Sequence, residues 1–429
     1  MSRKMSKLHA MKTALFAFFL LVNSFFLQAQ TVPLPDPFTL KDGRRVTSVH
    51  QWKTVRRPEL LAMFAREMYG QSPAKPLQMT FKVFDTDPKA LGGKATRKQV
   101  AIFLNGQADG PRIDVLLYIP NQAKKPVPAV LGLNFWGNHS IHPDPGIRIS
   151  TSWMESSRHN PYVDVSCVVD HRSTEACRGI NARQWPIDSI LNRGYALVTA
   201  YREDIASDER TTGFSTGIHT LYPEFQKQGD NFGTIAAWAW GLSRIMDYLQ
   251  TDPAIQAKRV ALFGWSRLGK AALWAGATDE RFAMVLSNES GAGGAKLFRR
   301  GVGENIRRLN TVFPHWFCGN FRKFMDQDTL LPFDQHLVIG LVAPRPVYIA
   351  SAEDDKGSDP AGEFASAKAA DAVYRFLGTD GLPTQTMPTL HESVQGRIGY
   401  HIRSGGHDVL WYDWAQYLRF MDRHFKTVN

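Results

Sequence analysis

A serine lies at a predicted strand-to-helix turn in the middle of the chain. Segment 264–269 reads Gly-Trp-Ser-Arg-Leu-Gly, preceded by the apolar run Val-Ala-Leu-Phe and followed by Lys-Ala-Ala-Leu-Trp-Ala-Gly-Ala. Such a turn lifts the serine oxygen clear of a sheet, and the positive end of the helix favours a developing oxyanion. The pattern predicts that Ser266 is a hydrolase nucleophile. It has one residue more before the second glycine than the common Gly-x-Ser-x-Gly form, and the alternative is an ordinary turn serine.

A histidine stands where the base of such an enzyme is expected. His407 lies in Ser-Gly-Gly-His-Asp, directly before a closing amphipathic helix predicted from Val409 to Phe425. A serine hydroxyl is a weak nucleophile until a base removes its proton, and in this type of hydrolase the chain order is serine, acid, histidine. We therefore predict that His407 is the base. The alternative is a loop histidine that forms only local hydrogen bonds.

The acid that orients the histidine has two candidates. Glu289 ends the predicted strand after the nucleophile helix, and Asp355 follows the next strand along the chain. The later strand end is the commoner place for this acid. Position alone therefore favours Asp355 slightly, with Glu353 and Asp354 as close rivals.

The elements around these residues predict an α/β fold. Apolar bursts alternate with helical segments from about residue 112, which indicates a mostly parallel central sheet between two helical layers. Together with the serine turn, this predicts an α/β-hydrolase fold, a three-layer sandwich. The predicted strands are 113–119, 127–135, 195–201, 259–263, 282–286, 346–350 and 400–402, and the principal helices are 58–69, 233–249, 268–276 and 409–425.

The beginning of the chain has a different character. Basic residues precede an apolar run from Ala14 to Leu27, and the small residue Ala29 follows. This pattern is typical of a secretory signal peptide, and the run is short for a membrane span, although an uncleaved signal anchor is the alternative. We predict a signal peptide over 1–29, an N-terminal elaboration packed on the core over 30–110, and the catalytic domain over 111–429. A secreted or periplasmic protein without a stable membrane anchor follows.

Charge and cysteine content exclude several classes of function. The formal net charge is +11, but it is spread along the chain without a long basic run, so we expect no nucleic-acid partner. The three cysteines have no zinc-site spacing, and a disulfide between Cys167 and Cys177 is compatible with an oxidising compartment. We expect a monomer that needs no metal and no organic cofactor.

Several longer motifs resemble one known group, the glucuronoyl esterases of carbohydrate esterase family 15. The resemblance runs from about residue 110 to the end. Its motifs are Gly-Trp-Ser-Arg-Leu-Gly-Lys at 264–270, Asn-Glu-Ser-Gly-Ala-Gly-Gly at 288–294, the stretch 303–321, Gly-Gly-His-Asp-Val-Leu-Trp-Tyr-Asp-Trp at 405–414, Gly-Leu-Asn-Phe-Trp-Gly-Asn-His at 132–139, and the stretch 178–186. It implies hydrolysis of the ester between (4-O-methyl)glucuronic acid on xylan and an alcohol of lignin.

The resemblance also implies roles for individual residues. Arg267 would stabilise the oxyanion, and Lys270 and Glu304 would hydrogen-bond sugar hydroxyls. Glu289 becomes the first choice of acid with Asp355 as the alternate, and the two could also both reach His407.

Two positions depart from the family pattern. Gly357 stands where many members carry a tryptophan that contacts the sugar, and Trp265 replaces the usual smaller residue before the nucleophile. They motivate a second hypothesis, a serine carbohydrate esterase acting on another ester, acetyl or methyl. A third is an inactive relative that only binds wall polysaccharide.

Overall fold

The ten strands in the described part of the chain form a single mixed sheet. The computed structural model describes residues 33–124, 126–156 and 162–426, and the predicted signal peptide lies outside them. The strands in this part of the chain are β1 (Thr80–Ala90), β2 (Ala95–Phe103), β3 (Arg112–Pro120), β4 (Val127–Asn134), β5 (Ala196–Tyr201), β6 (Ile255–Trp265), β7 (Met284–Asn288), β8 (Val347–Ala352), β9 (Ser393–Gln395) and β10 (Ile398–Arg403). Their order across the sheet is β1-β2-β3-β5-β4-β6-β7-β8-β10-β9.

Ten α-helical segments occur in the described residues. They are α1 (Val49–Gln51), α2 (Arg57–Phe64), α3 (Ile187–Asn192), α4 (Arg202–Ile205), α5 (Thr234–Leu249), α6 (Arg267–Thr278), α7 (Ile306–Val312), α8 (Gln335–Val342), α9 (Pro360–Phe376) and α10 (Trp411–Phe425). None of the described helices is long and apolar enough to cross a membrane.

The sheet has a parallel centre and antiparallel margins. Each pair within the series β5-β4-β6-β7-β8-β10 is parallel. The pairs β1-β2, β2-β3, β3-β5 and β10-β9 are antiparallel. Parallel strands need crossover connections, and the intervening helices supply them.

Side chains alternate between the two faces of this sheet, and helices cover both. Leu131 of β4 packs in the same cluster as Trp238 of α5 and residues of α6 and α8. Its neighbour Val130 packs on the other side with Trp414 of α10 and Ile190 of α3. This is the three-layer sandwich of the α/β-hydrolase fold, so the predicted fold class is confirmed.

The N-terminal segment is part of the same sheet. The described residues from Pro35 to Lys426 form one compact unit. The boundary predicted near residue 110 falls between β2 and β3, which pair along their whole length, from Ala95 opposite Pro120 to Phe103 opposite Arg112. The described part of the segment 30–110 therefore contributes β1 and β2 to this sheet.

The chain order of the strands determines which residues meet. The carboxyl ends of parallel strands lie at one edge of a sheet. Ser266 follows β6, Glu289 follows β7, Asp355 comes shortly after β8 and His407 shortly after β10. Because β6, β7, β8 and β10 are consecutive neighbours, these four residues converge on one edge.

Candidate active site

An open cleft of about 320 Å³ lies at this edge. It is formed by loops that follow the parallel strands and by the segment around α7. The predicted catalytic and sugar-contacting residues all line it: Ser266, Arg267, Lys270, Glu289, Glu304, Asp355 and His407. These residues, which are distant along the chain, therefore lie together in one cleft.

Ser266 occupies a strained turn between β6 and α6. Its backbone has φ 57° and ψ −131°, a conformation that is costly for a residue with a side chain and is typically retained at functional sites. Its amide donates a hydrogen bond of 2.9 Å to the carbonyl of Asn288. A Cβ on Gly264 would lie 2.1 Å from the carbonyl oxygen of Leu268, and one on Gly269 would lie 3.0 Å from that of Gly264. Both glycines are therefore required by close backbone approach, and the turn has the geometry of a nucleophile elbow.

Two carboxylates hold the imidazole of His407. Its Nδ1 lies 2.6 Å from Oδ2 of Asp355 and 3.2 Å from Oε2 of Glu289. The ring packs against Trp265 and Tyr162, with centroids 5.2 and 5.8 Å away. With Nδ1 engaged by acids, Nε2 is the ring nitrogen left to accept a proton from a nucleophile.

The two acids are anchored differently. Asp355 accepts a hydrogen bond of 3.2 Å from the amide of Ser358. Glu289 accepts one of 2.5 Å from the guanidinium of Arg403 and one of 2.9 Å from the amide of Asp408. Glu289 is thus built into a buried network, whereas Asp355 makes the shorter contact with the histidine.

Burial and neighbouring charge set the protonation of these groups. Burial opposes the imidazolium, but its hydrogen bonds to the two carboxylates raise the pKa of His407 to about 9. Burial also opposes ionisation of Asp355, yet its hydrogen bond with His407 lowers the pKa of that carboxyl. Burial raises the pKa of Glu289 to about 7, against the opposing effects of His407 and Arg403. Asp355 is therefore the more acidic of the two partners.

The same three groups have the spacing of a metal site. One ligand atom each from Glu289, Asp355 and His407 lies within 4.8 Å of the others. The closest carboxylate oxygens are already used in hydrogen bonds to the imidazole, and Glu289 also pairs with Arg403. The arrangement fits a charged imidazole ring held by acids, and this ring supplies the positive charge that a cation would bring.

Arg267 begins α6 directly after the serine and lies in the cleft. Its guanidinium is bound by Asp208, with Nη1 2.5 Å from Oδ2, and packs over Trp316 at 4.7 Å and Phe313 at 5.3 Å from the ring centroids. As the first residue of a helix, its backbone amide has no carbonyl one turn earlier to bind. Both the amide and the guanidinium are thus suited to an anionic oxygen.

Lys270 and Glu304 form a polar wall of the cleft. The ammonium group of Lys270 donates to the carbonyls of Ser290 and Ala292, both at 2.7 Å, and lies 3.4 Å from Oε2 of Glu304. Two of its three N–H groups therefore hold the loop after β7. The remaining N–H points to Glu304, whose amide donates to the carbonyl of Gly357 at 3.0 Å.

Sequence reasoning missed the residues that surround Arg267. Asp208 comes from the irregular segment after α4, and His315 and Trp316 lie in the segment after α7. The stretch 303–321 was singled out as a motif, but its aromatic residues received no role. No local pattern marks Asp208, because three of its four partners, Arg267, His315 and Trp316, are distant in sequence.

Comparisons with known proteins agree with this geometry. A family model described as "Glucuronyl esterase, fungi" matches residues 167–378. "Carbohydrate esterase MZ0003", from an unknown prokaryotic organism, is 46% identical over 92% of this chain and 90% of its own length. The solved glucuronoyl esterase from Solibacter usitatus is 46% identical, with a TM-score of 0.85, over 92% of this chain and 98% of that chain. A solved structure described as a promiscuous CE15 esterase from a marine bacterial metagenome is 45% identical, with a TM-score of 0.85, over 92% and 97%.

These relatives match nearly the whole chain, and the family resemblance found in the motifs is confirmed. The chain belongs to carbohydrate esterase family 15, the glucuronoyl esterase family, and is a carboxylic ester hydrolase.

Proposed function

We propose that this esterase hydrolyses (4-O-methyl)glucuronoyl esters that link glucuronoxylan to lignin alcohols. The observation that carries the proposal is the joint presence of the strained Ser266 elbow and the doubly held His407 in one cleft. Similarity to a named glucuronoyl esterase over 98% of that chain supports the substrate class.

The proposed reaction is acyl transfer through a serine ester. Ser266 attacks the ester carbonyl while Nε2 of His407 takes its proton, and the proton then passes to the departing alcohol. The amide and guanidinium of Arg267 stabilise the oxyanion. Water then attacks the acyl-enzyme by the same steps and releases the uronic acid. Neither a metal nor an organic cofactor enters this sequence.

We assign the acid of the triad to both carboxylates of the cleft. Glu289, the acid expected from the family resemblance, fixes the backbone directly after His407 through the amide of Asp408. Asp355 supplies the shorter contact with the imidazole and the lower pKa. Each can stabilise the imidazolium that forms when Ser266 is deprotonated.

The polar wall suits the hydroxyl groups of a sugar ring. The carboxylate of Glu304 is partly exposed in the cleft, and the ammonium of Lys270 shares it at 3.4 Å. A carboxylate and an ammonium together accept from and donate to neighbouring hydroxyls. We propose that this pair binds the glucuronoyl ring.

Secretion through the signal peptide over 1–29 fits a polymeric wall substrate. The disulfide that joins Cys167 and Cys177 supports this proposal, because such bonds persist in oxidising compartments.

A second candidate is hydrolysis of another carbohydrate ester, acetyl or methyl. The specific observation is Gly357, which lines the cleft and leaves open space where a side chain would stand. A Cβ there would meet only Oδ1 of Asp355, at 3.5 Å. A cleft without a side chain at this position accepts a wider range of acyl groups, and one of the relatives is described as promiscuous.

The deciding experiment compares benzyl glucuronate with 4-nitrophenyl acetate, using the wild type and Ser266→Ala. We expect strong turnover of the glucuronate ester, little turnover of the acetate, and loss of both in the variant. Acetate turnover without glucuronate turnover would favour the second candidate. Absence of any Ser266-dependent hydrolysis would contradict both.

A further inference from the structure

The carboxylate of Asp208 lies at the centre of a buried cluster behind Arg267. Its side chain is only 4% exposed. Its oxygens accept hydrogen bonds from Nη1 of Arg202 at 2.6 Å, Nη1 of Arg267 at 2.5 Å, Nε2 of His315 at 3.1 Å and Nε1 of Trp316 at 2.7 Å. A buried carboxylate is retained only when its acceptor capacity is filled in this way.

The charge on Asp208 is maintained by these partners. Burial opposes its ionisation, but the two guanidinium groups of Arg202 and Arg267 and the ring of His315 hold the pKa of Asp208 well below its usual range. The carboxylate is therefore a permanent negative charge at working pH.

Asp208 and Trp316 together restrict the position of the Arg267 side chain. Asp208 binds its Nη1, and the same carboxylate holds the indole of Trp316, on whose face the guanidinium lies. Phe313 stacks on Trp316 with ring centroids 3.7 Å apart and planes 2° apart, which stiffens that support. An arginine side chain otherwise has many rotamers, so these contacts remove most of its freedom before substrate binds.

The Arg267 side chain keeps an exposed part in the cleft. It lines the cleft together with Ser266, and 27% of it is exposed. Its hydrogen bond with Asp208 uses Nη1, one of several N–H donors of a guanidinium. The guanidinium can therefore face an oxygen of the ester that Ser266 attacks.

We propose that Asp208 is a positioning residue for the reaction: it holds the guanidinium of Arg267, directly and through Trp316, in the place where the oxyanion develops. The inference rests on the proposed role of Arg267. Asp208 itself does not touch the substrate, and its effect is exerted through Arg267.

A double-mutant cycle tests this coupling. Arg267→Ala is expected to lower kcat by about 100-fold, as removal of an oxyanion donor does. Asp208→Asn is expected to lower kcat by about 10- to 100-fold with KM changed less than about threefold, because the oxyanion exists only in the transition state. In the Arg267→Ala background, Asp208→Asn should lower kcat by less than about threefold. Independent, multiplying losses would overturn the proposal.

Glu203→Gln is the matched control. Glu203 is equally buried and pairs with Arg202 at 3.2 Å, and it accepts from the amide of Asp208. Glutamine keeps an oxygen for that amide and removes only charge facing Arg202. We expect kcat within about threefold of the wild type. A loss as large as that of Asp208→Asn would mean that Arg202, and not Arg267, carries the effect.

A second variant keeps the test valid if Asp208→Asn does not fold, as judged by circular dichroism. Asp208→Glu retains the charge but displaces the carboxylate by one methylene, and the same non-additivity with Arg267→Ala is expected. The cycle is run on whichever ester the wild type hydrolyses, so a wrong sugar preference leaves it intact. A wild type without Ser266-dependent turnover would overturn both proposals.

Discussion

Removal of the closer acid should change the pH dependence of the enzyme as well as its rate. Asp355 lies 2.6 Å from Nδ1 of His407, and Glu289 lies at 3.2 Å. Together they raise the pKa of His407 to about 9 against the effect of burial. The base must be neutral to accept the serine proton. The value of kcat/KM in the wild type should therefore rise with pH until about 9, where the neutral form of the imidazole becomes the major one.

Asp355→Ala removes the nearer of two charges that favour the imidazolium. The pKa of His407 should fall by about 1–2 units, and the acidic limb of the kcat/KM profile should move to lower pH by the same amount. The maximal kcat should fall by about 10- to 100-fold. This loss is smaller than the roughly 10⁴-fold effect of disabling the only acid of a serine triad, because Glu289 still orients the ring.

The assay is hydrolysis of the preferred ester between pH 5 and 10, with Ser266→Ala as the blank for spontaneous hydrolysis. Asp354→Ala is the matched control, since it removes an exposed carboxylate from the adjacent position of the same loop. An unshifted limb in Asp355→Ala, or an equal shift in Asp354→Ala, would refute the reasoning.

Two further predictions concern the framework of the site. Glu289→Ala leaves the buried guanidinium of Arg403 without one of its carboxylates, so the free energy of unfolding in urea should fall by about 3–5 kcal/mol. An unchanged urea midpoint of unfolding would contradict this. Gly264→Ala should abolish Ser266-dependent turnover, because the added Cβ would lie 2.1 Å from a backbone oxygen. A Cβ added at Gly406 would meet no atom within 4 Å, so Gly406→Ala should remain active. Equal activity of the two glycine variants would argue against the elbow.

The central strands and the helix α5 were predictable because they are buried on all sides. The predicted strand 127–135 is observed as Val127–Asn134, and the predicted helix 233–249 as Thr234–Leu249. Strands covered by helices on both faces read as continuous apolar runs, and such runs are visible without knowledge of their partners. The closing helix, predicted over 409–425, spans Trp411–Phe425.

The outer strands were missed because their charges are compensated at a distance. Within β2, Arg97 pairs with Asp85 and Asp144, and Lys98 pairs with Asp252. These ion pairs allow a strand rich in polar residues to join the sheet, but each partner lies more than ten residues away. The segment 30–110 therefore has the polar composition of a surface segment, although it supplies β1 and β2.

The identity of the acid shows why a strand pattern could not settle the catalytic site. The sequence places Glu289 after β7 and Asp355 after β8, as two candidate acids that could also both reach His407. In the sheet, β7 and β8 are adjacent and parallel, with Asn288 opposite Ala350. Adjacent carboxyl ends deliver both side chains to the same imidazole. The choice between them is therefore a matter of distance and charge at His407, which depends on tertiary structure and not on position along the chain.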